Sequence, residues 1–342
     1  MKDKFNLANL TLKKMEDFVA KLGYKPFTGR QLFQWINNKL VNNFEEMTDL
    51  SKQLRLKLFE ISEIRQLKKD QKQISKDKTQ KLSFKLDDNH FIESVIIPEA
   101  KRCTICISTQ VGCALNCKFC MTAKLGFIRN LETWEIVDQV KQCKKESINP
   151  VSNIVFMGMG EPLLNLENVI KAIEILTSDF GLSFSHRKIT VSTAGITDKI
   201  IEFGNKTDVN LAVSLNAPND EIRSNIMPIN KKYNLKTLLE TLKDYPLKNR
   251  KRITFEYILL KDINDSDKDA QMLAKILSGL KYKLNLIPLN DSENIEFSSP
   301  GTDRINQFHQ ILINKNINTI IRKKRGEDIK AACGQLAGKQ MA

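Results

Sequence analysis

The sequence predicts an α/β protein: an incomplete (β/α)6 barrel, preceded by a small N-terminal helical accessory domain and a connecting β-hairpin. Three observations carry this reading. After residue 100, six short β-rich runs alternate with helical ones, the pattern of a parallel sheet with crossover helices. The first 65 residues place apolar side chains at helical spacing. Between these regions, residues 81–97 alternate apolar and polar around a turn, which is a hairpin pattern.

Taken in order, Leu10-Thr-Leu-Lys-Lys-Met-Glu-Asp-Phe-Val reads as a helix that Gly23 stops, with Pro26 expected to open a turn. A second helix is expected through Gly29-Arg-Gln-Leu-Phe-Gln-Trp-Ile and a third over 50–59. Phe27, Phe33 and Trp35 have the faces to stack on bases, but in a helical module of this size they fit its core better. Residues 1–67 are read as an RNA-docking domain on charge instead. Residues 1–80 hold 17 Lys and Arg against 10 Asp and Glu, half of the chain's net +14, and so uneven an excess points to a polyanionic partner.

Residues 68–100 are read as linker and hairpin. The lysine-rich stretch 68–78 suits a linker. Lys81-Leu-Ser-Phe-Lys-Leu then alternates, Asp87-Asp-Asn turns, and Phe91-Ile-Glu-Ser-Val-Ile-Ile runs as a strand to Pro98. Glu93 inside that strand faces either outward or into a cavity, and local sequence favours outward. Over 101–342, strands are expected at 103–109, 153–159, 188–193, 210–215, 253–260 and 284–289. Helices are expected near 132–146, 166–178, 235–244, 266–280 and 303–315. Six units fall short of the eight that close a barrel.

The composition is 41% hydrophobic and 27% charged, ordinary for a globular domain. No apolar run approaches the roughly 20 residues that span a bilayer, and Met1-Lys-Asp-Lys-Phe lacks the apolar core of a signal peptide. A cytoplasmic protein without membrane association is expected. Seven cysteines, odd in number and partly clustered, do not suit a secreted disulfide framework. His90, His186 and His309 are too scattered for a histidine-centred triad.

Chemistry concentrates in Cys113-Ala-Leu-Asn-Cys117-Lys-Phe-Cys120. Three thiolates at C-x3-C-x2-C can hold three corners of an iron–sulfur cube and leave the fourth iron open. A structural zinc site wants four ligands, usually as two separated pairs, and no fourth Cys or His follows at such spacing. The octet resembles the motif of the radical S-adenosylmethionine superfamily, which implies a 4Fe-4S cluster whose open iron is chelated by the methionyl group of S-adenosylmethionine.

Active sites of such barrels gather at the C-terminal ends of the strands. Here the cysteine loop follows the first strand, Gly160-Glu161-Pro162 the second, Ser192-Thr-Ala-Gly195 the third, Ser214-Leu215-Asn216 the fourth and Asn290 the sixth. Gly, Ser, Asn and Pro are also plain turn residues, so their joint recurrence is what assigns them. Gly160 and Glu161 are expected at the cofactor's amine, and Ser192, Ser214, Leu215, Asn216 and Asn290 around its carboxylate, ribose and adenine. Outside the loop, Cys106 lies on the first strand and Cys333 in a small-residue segment, 326–336, where backbone can approach the mouth closely. Cys103 and Cys143 are assigned to structure.

The cysteine octet continues into Gly126-Phe-Ile-Arg-Asn-Leu, Met157-Gly-Met-Gly-Glu-Pro-Leu-Leu-Asn165, Met227-Pro-Ile-Asn, Asn285-Leu-Ile-Pro-Leu-Asn and 325–336. Over nearly its whole length the chain is similar to the radical S-adenosylmethionine methyltransferases that act on adenine C2 of both 23S rRNA and tRNA. The resemblance implies cluster ligands at Cys113, Cys117 and Cys120, a methyl-carrying cysteine at Cys333, its partner at Cys106 and a catalytic glutamate at Glu93, against the local preference for that residue. It implies two S-adenosylmethionine molecules per turnover, methylation of Cys333, radical addition of its methylene group to adenine C2, and release by a Cys106–Cys333 disulfide. Its targets would be the peptidyl-transferase loop of 23S rRNA and the tRNA adenine 3′ of the anticodon, with a flavodoxin-like electron donor and a monomeric enzyme. The chain departs from the family at Asn216, where His is usual; Asn keeps a hydrogen bond but no titratable ring. A related family that methylates C8 of the same rRNA adenine has Ala where Pro162 stands, which favours C2. A non-enzymatic RNA-binding protein with a structural cluster would satisfy the charge and the cysteines, but leaves the strand-end residues unexplained.

Overall fold

The computed structural model of the protein describes residues 4–248, 250–290 and 295–337. In the N-terminal module, helix Leu12–Lys21 buries Met15 and Val19 and ends before Gly23 at φ +87°. Helix Pro26–Asn37 begins at Pro26 itself. The expected turn is therefore the first helical residue, where proline's fixed φ and missing N–H cost nothing. Gly29 lets these two helices touch, since a Cβ there would lie 2.7 Å from Glu16 Cα. The third helix, Lys52–Ile61, is capped by Ser51, whose Oγ accepts from Leu54 N at 3.2 Å. Phe33 is fully buried, Trp35 half-buried and Phe27 63% exposed, so the aromatic set is split between core and surface. The module is fastened to helix Thr133–Glu146, where Trp134 N donates to Asn9 and Leu67 N donates to Asp138.

One sheet of ten strands organises the rest. Its order is Thr319–Ile321, Tyr282–Pro288, Ile253–Leu259, Asn210–Ser214, Ile189–Thr193, Val151–Phe156, Arg102–Cys106, Phe91–Glu99, Gln80–Lys85 and Lys68–Ile74. The first seven of these run parallel and the last three continue antiparallel from Arg102–Cys106. Each new parallel strand adds at the same edge through a crossover helix, as singly wound barrels do. The core lies between sheet and helices, with Phe156, Val191, Val213, Phe255 and Leu286 essentially inaccessible.

Four expectations are corrected. Residues 68–74 are a strand, not a linker: they pair with Gln80–Lys85 although all seven side chains are exposed. Lysine-rich edge strands show no alternation because neither face is buried. A seventh parallel strand, Thr319–Ile321, follows the six expected, and two helices, Thr197–Lys206 and Asp220–Ile226, fill connections that were left unassigned. The first barrel strand stops at Cys106: Ile107 N still donates to Val155 O of the second strand, but beyond it the backbone bonds the loop that follows, with Gly158 N donating to Ile107 O and Thr109 N to Met159 O. Glu93 is buried rather than outward, in register with Ser83.

Candidate active site

The cysteine loop is built from backbone. Past Cys106 the chain forms a short ladder, Gln110–Gly112 against Phe127–Asn130. Gly112 is required there: at φ +72° an added Cβ would lie 1.8 Å from Gly126 O. Cys113 N donates to Gly126 O at 2.8 Å, Asn116 takes the left-handed conformation at φ +54°, and Lys118 N donates to Ile226 O at 3.0 Å. Asn tolerates that conformation better than other side-chain-bearing residues. The loop closes into a helical turn, Met121–Lys124, directly after Cys120.

Cys113, Cys117 and Cys120 line one cavity of about 150 Å³ together with Gly160, Glu161 and Ser192. Burial pushes the Cys113 thiol up to about 12 and raises those of Cys117 and Cys120. Such thiols gain nothing from ionising alone, whereas a coordinated metal deprotonates them outright. Among the described residues no three His, Cys, Asp or Glu side chains converge as ligands of a single ion, while a 4Fe-4S cube takes its thiolates at separate corners. Three cysteine sulfurs on one loop and one cavity wall are the donor set such a cube takes.

The remaining strand ends complete this cavity. Gly160 sits at φ +97°, and a Cβ would meet Gln110 Cβ at 2.5 Å; Glu161 N is held by Gln110 Oε1 at 2.8 Å. Burial pushes the Glu161 carboxyl up to about 7, against the pull of hydrogen bonds from Ala194 N (2.7 Å) and Leu163 N (3.1 Å). Ser214 and Asn216 line the same wall. Asn216 is left-handed at φ +59°, accepts from Ile258 N at 2.9 Å and points its amide at Met227 Sδ. Leu215 does not reach the cavity: it is wholly buried, with its N–H on the Glu256 carbonyl.

A second cavity of about 260 Å³ adjoins the first and is lined by Cys106, Cys333 and Asn290. Asn290 thus lies there rather than with Gly160, Glu161 and Ser192, and among the described residues its Oδ1 is buried without a partner, a carbonyl open to a donor from a bound molecule. Cys333 lines both cavities. Part of its surface is exposed, but the protein packed around the sulfur desolvates it and raises its thiol. Burial also raises the Cys106 thiol. All seven cysteines are free thiols, and neither Cys103 nor Cys143, both buried, lines either cavity.

Two hydrogen bonds bring the Cys333 segment to the cysteine loop, from Met121 N to Gly334 O (2.7 Å) and from Thr122 Oγ1 to Leu336 O (2.5 Å). Glu93 stands on the same sheet face as Ile97 and Cys106, which line the second cavity, but does not line it. Its carboxylate is paired with Lys81 at 3.2 Å and accepts from Ala337 N at 3.0 Å.

Two site residues were not found from sequence. Glu256 lines both cavities and accepts from Ser192 Oγ at 2.8 Å; a carboxylate inside the apolar strand Ile253–Leu259 was a signal of the same kind as Glu93. Arg223 is completely buried and donates to the carbonyls of Leu215 (3.0 Å), Ala194 (2.7 Å) and Ser214 (3.2 Å). It ties together the ends of the third and fourth barrel strands, and burial lowers its guanidinium to about 10. Nothing in its local sequence marks it.

Residues 5–64 match the model of the ribosomal RNA large subunit methyltransferase N-terminal domain, and residues 107–274 that of the radical SAM superfamily. The chain is 48% identical to a protein of Geobacter sulfurreducens named dual-specificity RNA methyltransferase RlmN, over 98% of this chain and 92% of that one. It is equally identical to the protein of that name from Syntrophotalea carbinolica, over 98% and 90%. A crystal structure of a radical SAM methyltransferase from Sphaerobacter thermophilus superposes with a TM-score of 0.90 at 39% identity, covering 97% of this chain and 99% of that one.

Proposed function

The chain belongs to the RlmN family of radical SAM RNA methyltransferases, and from that premise we propose that it methylates C2 of an adenine in the peptidyl-transferase loop of 23S rRNA and of the adenine 3′ of the anticodon in tRNA. The observation that carries the reading is the place of Cys333, on the wall shared by the cluster-side cavity and a second cavity that also holds Cys106. A carbon carried by that sulfur is exposed to both.

A 4Fe-4S cluster and S-adenosylmethionine belong to the superfamily's chemistry; bound here they supply a sulfonium methyl group and, on reduction, a 5′-deoxyadenosyl radical. Cys113, Cys117 and Cys120 are assigned as ligands. Gly160 and Glu161 bind the methionyl amine, and Ser192, Ser214 and Asn216 the carboxylate and sugar. Cys333 takes the methyl group of one S-adenosylmethionine by substitution at sulfur. With a second molecule, the methyl group on Cys333 would lose a hydrogen atom to the 5′-deoxyadenosyl radical, the methylene radical left there would add to adenine C2, and the unpaired electron would pass back to the oxidised cluster, while Asn290 offers its side-chain carbonyl to the base. Glu93 removes the C2 proton once the RNA displaces Ala337 N from it. Cys106 then attacks Cys333, freeing the RNA and leaving a disulfide that external thiol must reduce. The enzyme works as a monomer in the cytoplasm with a flavodoxin-like electron donor. Among the described residues no helix is long and apolar enough to cross a membrane.

The deciding experiment is anaerobic reconstitution with iron and sulfide, then incubation with S-adenosylmethionine, reductant and unmodified 23S rRNA or tRNA. Digested RNA should contain 2-methyladenosine. Co-migration with 8-methyladenosine instead would assign C8, and absence of both, with the cluster intact, would overturn the reading.

A further inference from the structure

Methyl transfer to Cys333 requires that its thiol lose a proton, and a cysteine thiol, ordinarily titrating at about 8.5, is mostly protonated at neutral pH; burial raises this one further. An acceptor within the reaction chamber is needed. Five side chains line both cavities: Met157, Glu256, Ile287, Cys333 and Leu336. Of these, only Glu256 can take a proton from Cys333.

The other carboxylates are placed elsewhere. Glu93 lines neither cavity and is engaged by Lys81 and Ala337 N. Glu161 lines only the cluster side, where Ala194 N and Leu163 N hold it. Glu99 lines only the second cavity and is paired with Arg102 at 3.0 Å.

Resting on the reading of Cys333 as methyl carrier, we infer that Glu256 is the base that takes the Cys333 thiol proton as the sulfur is methylated. The Cys333 S–H bond breaks and its proton passes to the Glu256 carboxylate. The sulfur's electron pair forms the new S–CH3 bond, the methyl–sulfonium bond breaks, and its pair stays on the departing S-adenosylhomocysteine. Ser192 Oγ, donating at 2.8 Å, fixes the carboxylate's orientation. Burial raises the Glu256 carboxyl, opposed by Ser192, Arg322 and Lys283, so that it holds a proton more readily than an exposed glutamate. The other titratable groups lining the second cavity are Cys106, Cys333, Glu99, which is paired with Arg102, and the cations Arg322, Lys323, Lys324 and Arg325. A separate base for each half of the cycle follows: Glu256 before the radical step, Glu93 after it.

The test uses cluster-loaded enzyme and S-adenosylmethionine carrying a deuterated methyl group, without reductant or RNA. Label on the Cys333 peptide is read by mass spectrometry. At saturating S-adenosylmethionine, Glu256→Gln should slow labelling roughly 100-fold or more, the usual range of general base catalysis. Its S-adenosylmethionine affinity, measured separately, should change by less than about threefold. Glu256→Ala should regain labelling with added formate, and carries the same test should the Gln variant fail to fold. A second readout needs no cluster. Loss of the neighbouring negative charge makes the Cys333 thiol more acidic, so iodoacetamide should alkylate Cys333 faster in Glu256→Gln than in wild type at neutral pH. Opposite changes in the two rates support the proposal. Wild-type labelling at saturation, a defect explained by lost affinity alone, or alkylation that falls together with labelling would overturn it. A wild-type protein that gains no methyl group on Cys333 would instead overturn the methyl-carrier reading, and the proposal with it.

Discussion

Cys113, Cys117 and Cys120 ride on a loop with both ends in regular structure, a two-stranded ladder before it and a helical turn after it, with Leu115, Phe119 and Met121 buried around it. Cys333 rides on a segment whose sole regular element among the described residues is one 3-10 turn, Glu327–Ile329, between the left-handed residues Gly326 and Lys330. That segment is fastened at points. At the hairpin, Asp328 accepts from Ser75 Oγ (2.5 Å) and Lys76 N (3.1 Å), Gly326 N donates to Asp77, and Lys81 Nζ donates to Lys330 O. At the cysteine loop, Gly334 O and Leu336 O accept from Met121 and Thr122. The proposed cluster would need three thiolates at fixed spacing, and the loop that carries these cysteines is set by packing. In the proposed cycle Cys333 would meet a cofactor, an RNA base and another cysteine in turn, and such a residue is better carried on polar ties of about 1 kcal/mol each, which can open locally without unfolding the barrel.

The largest effects should come from the packed side of this contrast. Replacing Cys113, Cys117 or Cys120 with Ala should abolish the cluster's visible absorption and all methyl transfer while the protein stays soluble. A full 4Fe-4S complement with activity in any one of the three variants would remove that residue from the ligand set.

On the other side, Cys333 and Cys106 should fail in different ways. Cys333→Ala removes the methyl acceptor, so neither product nor a protein–RNA adduct should form. Cys106→Ala leaves methylation and radical addition intact but removes the thiol that resolves the adduct. A slow-migrating, ribonuclease-sensitive band on denaturing gels should therefore accumulate only in that variant and only with S-adenosylmethionine and reductant. Adducts in both variants, or in neither with the cluster intact, would break the division of labour.

A smaller effect separates the two regions by pH. The Glu161 carboxyl, ordinarily near 4.5, is pushed up to about 7 by burial. The folded cluster-free protein thus binds this proton more tightly than the unfolded chain. Stability from this group is complete below about 4.5 and is lost as pH rises to about 7, an effect on the order of 3 kcal/mol at 1.36 kcal/mol per unit. Thermal midpoints of cluster-free protein should fall from pH 5 to pH 8, and Glu161→Gln should flatten that fall. An equal slope in the variant would mean that other groups carry it.

How legible each region was in the sequence follows the same division. The six long barrel strands were readable because strands covered on both faces are apolar runs, and the cysteine loop because its three cysteines stand at a fixed covalent spacing. The hairpin's outer strand, 68–74, was not: its seven exposed side chains leave only backbone pairing to hold it, and backbone has no sequence pattern. Thr319–Ile321 is too short to show one. Glu256 and Arg223 matter because of what approaches them from other strands, which local sequence does not encode. Leu215 and Asn290 show the converse. Standing at a strand end did not place the first in the cofactor cavity, and it placed the second in the adjoining one.

The lysine-rich strand that resembled a linker has a definite task in this contrast, because the turn after it holds the Cys333 segment through Asp328. Asp328→Ala removes two acceptor contacts, to Ser75 Oγ and Lys76 N, while leaving the barrel core and cysteine loop untouched. The side chain lies at the surface, so global stability should change little, by about 1 kcal/mol or less. Local opening of the segment should become easier by about one tie, and a loss of about 1.4 kcal/mol is a tenfold change in the open population. Iodoacetamide labelling of Cys333 in the cluster-free protein, under conditions where opening is faster than alkylation, should rise by up to about tenfold in Asp328→Ala. Labelling of Cys113, whose loop does not depend on that tie, should stay at the wild-type rate. If both cysteines become equally reactive, the two segments open as one unit and the contrast between packed loop and tied strap fails. If neither changes, the remaining ties, to Asp77 and Lys81 at the hairpin and to Met121 and Thr122 at the cysteine loop, suffice to hold the segment, and the Asp328 contacts add nothing to it.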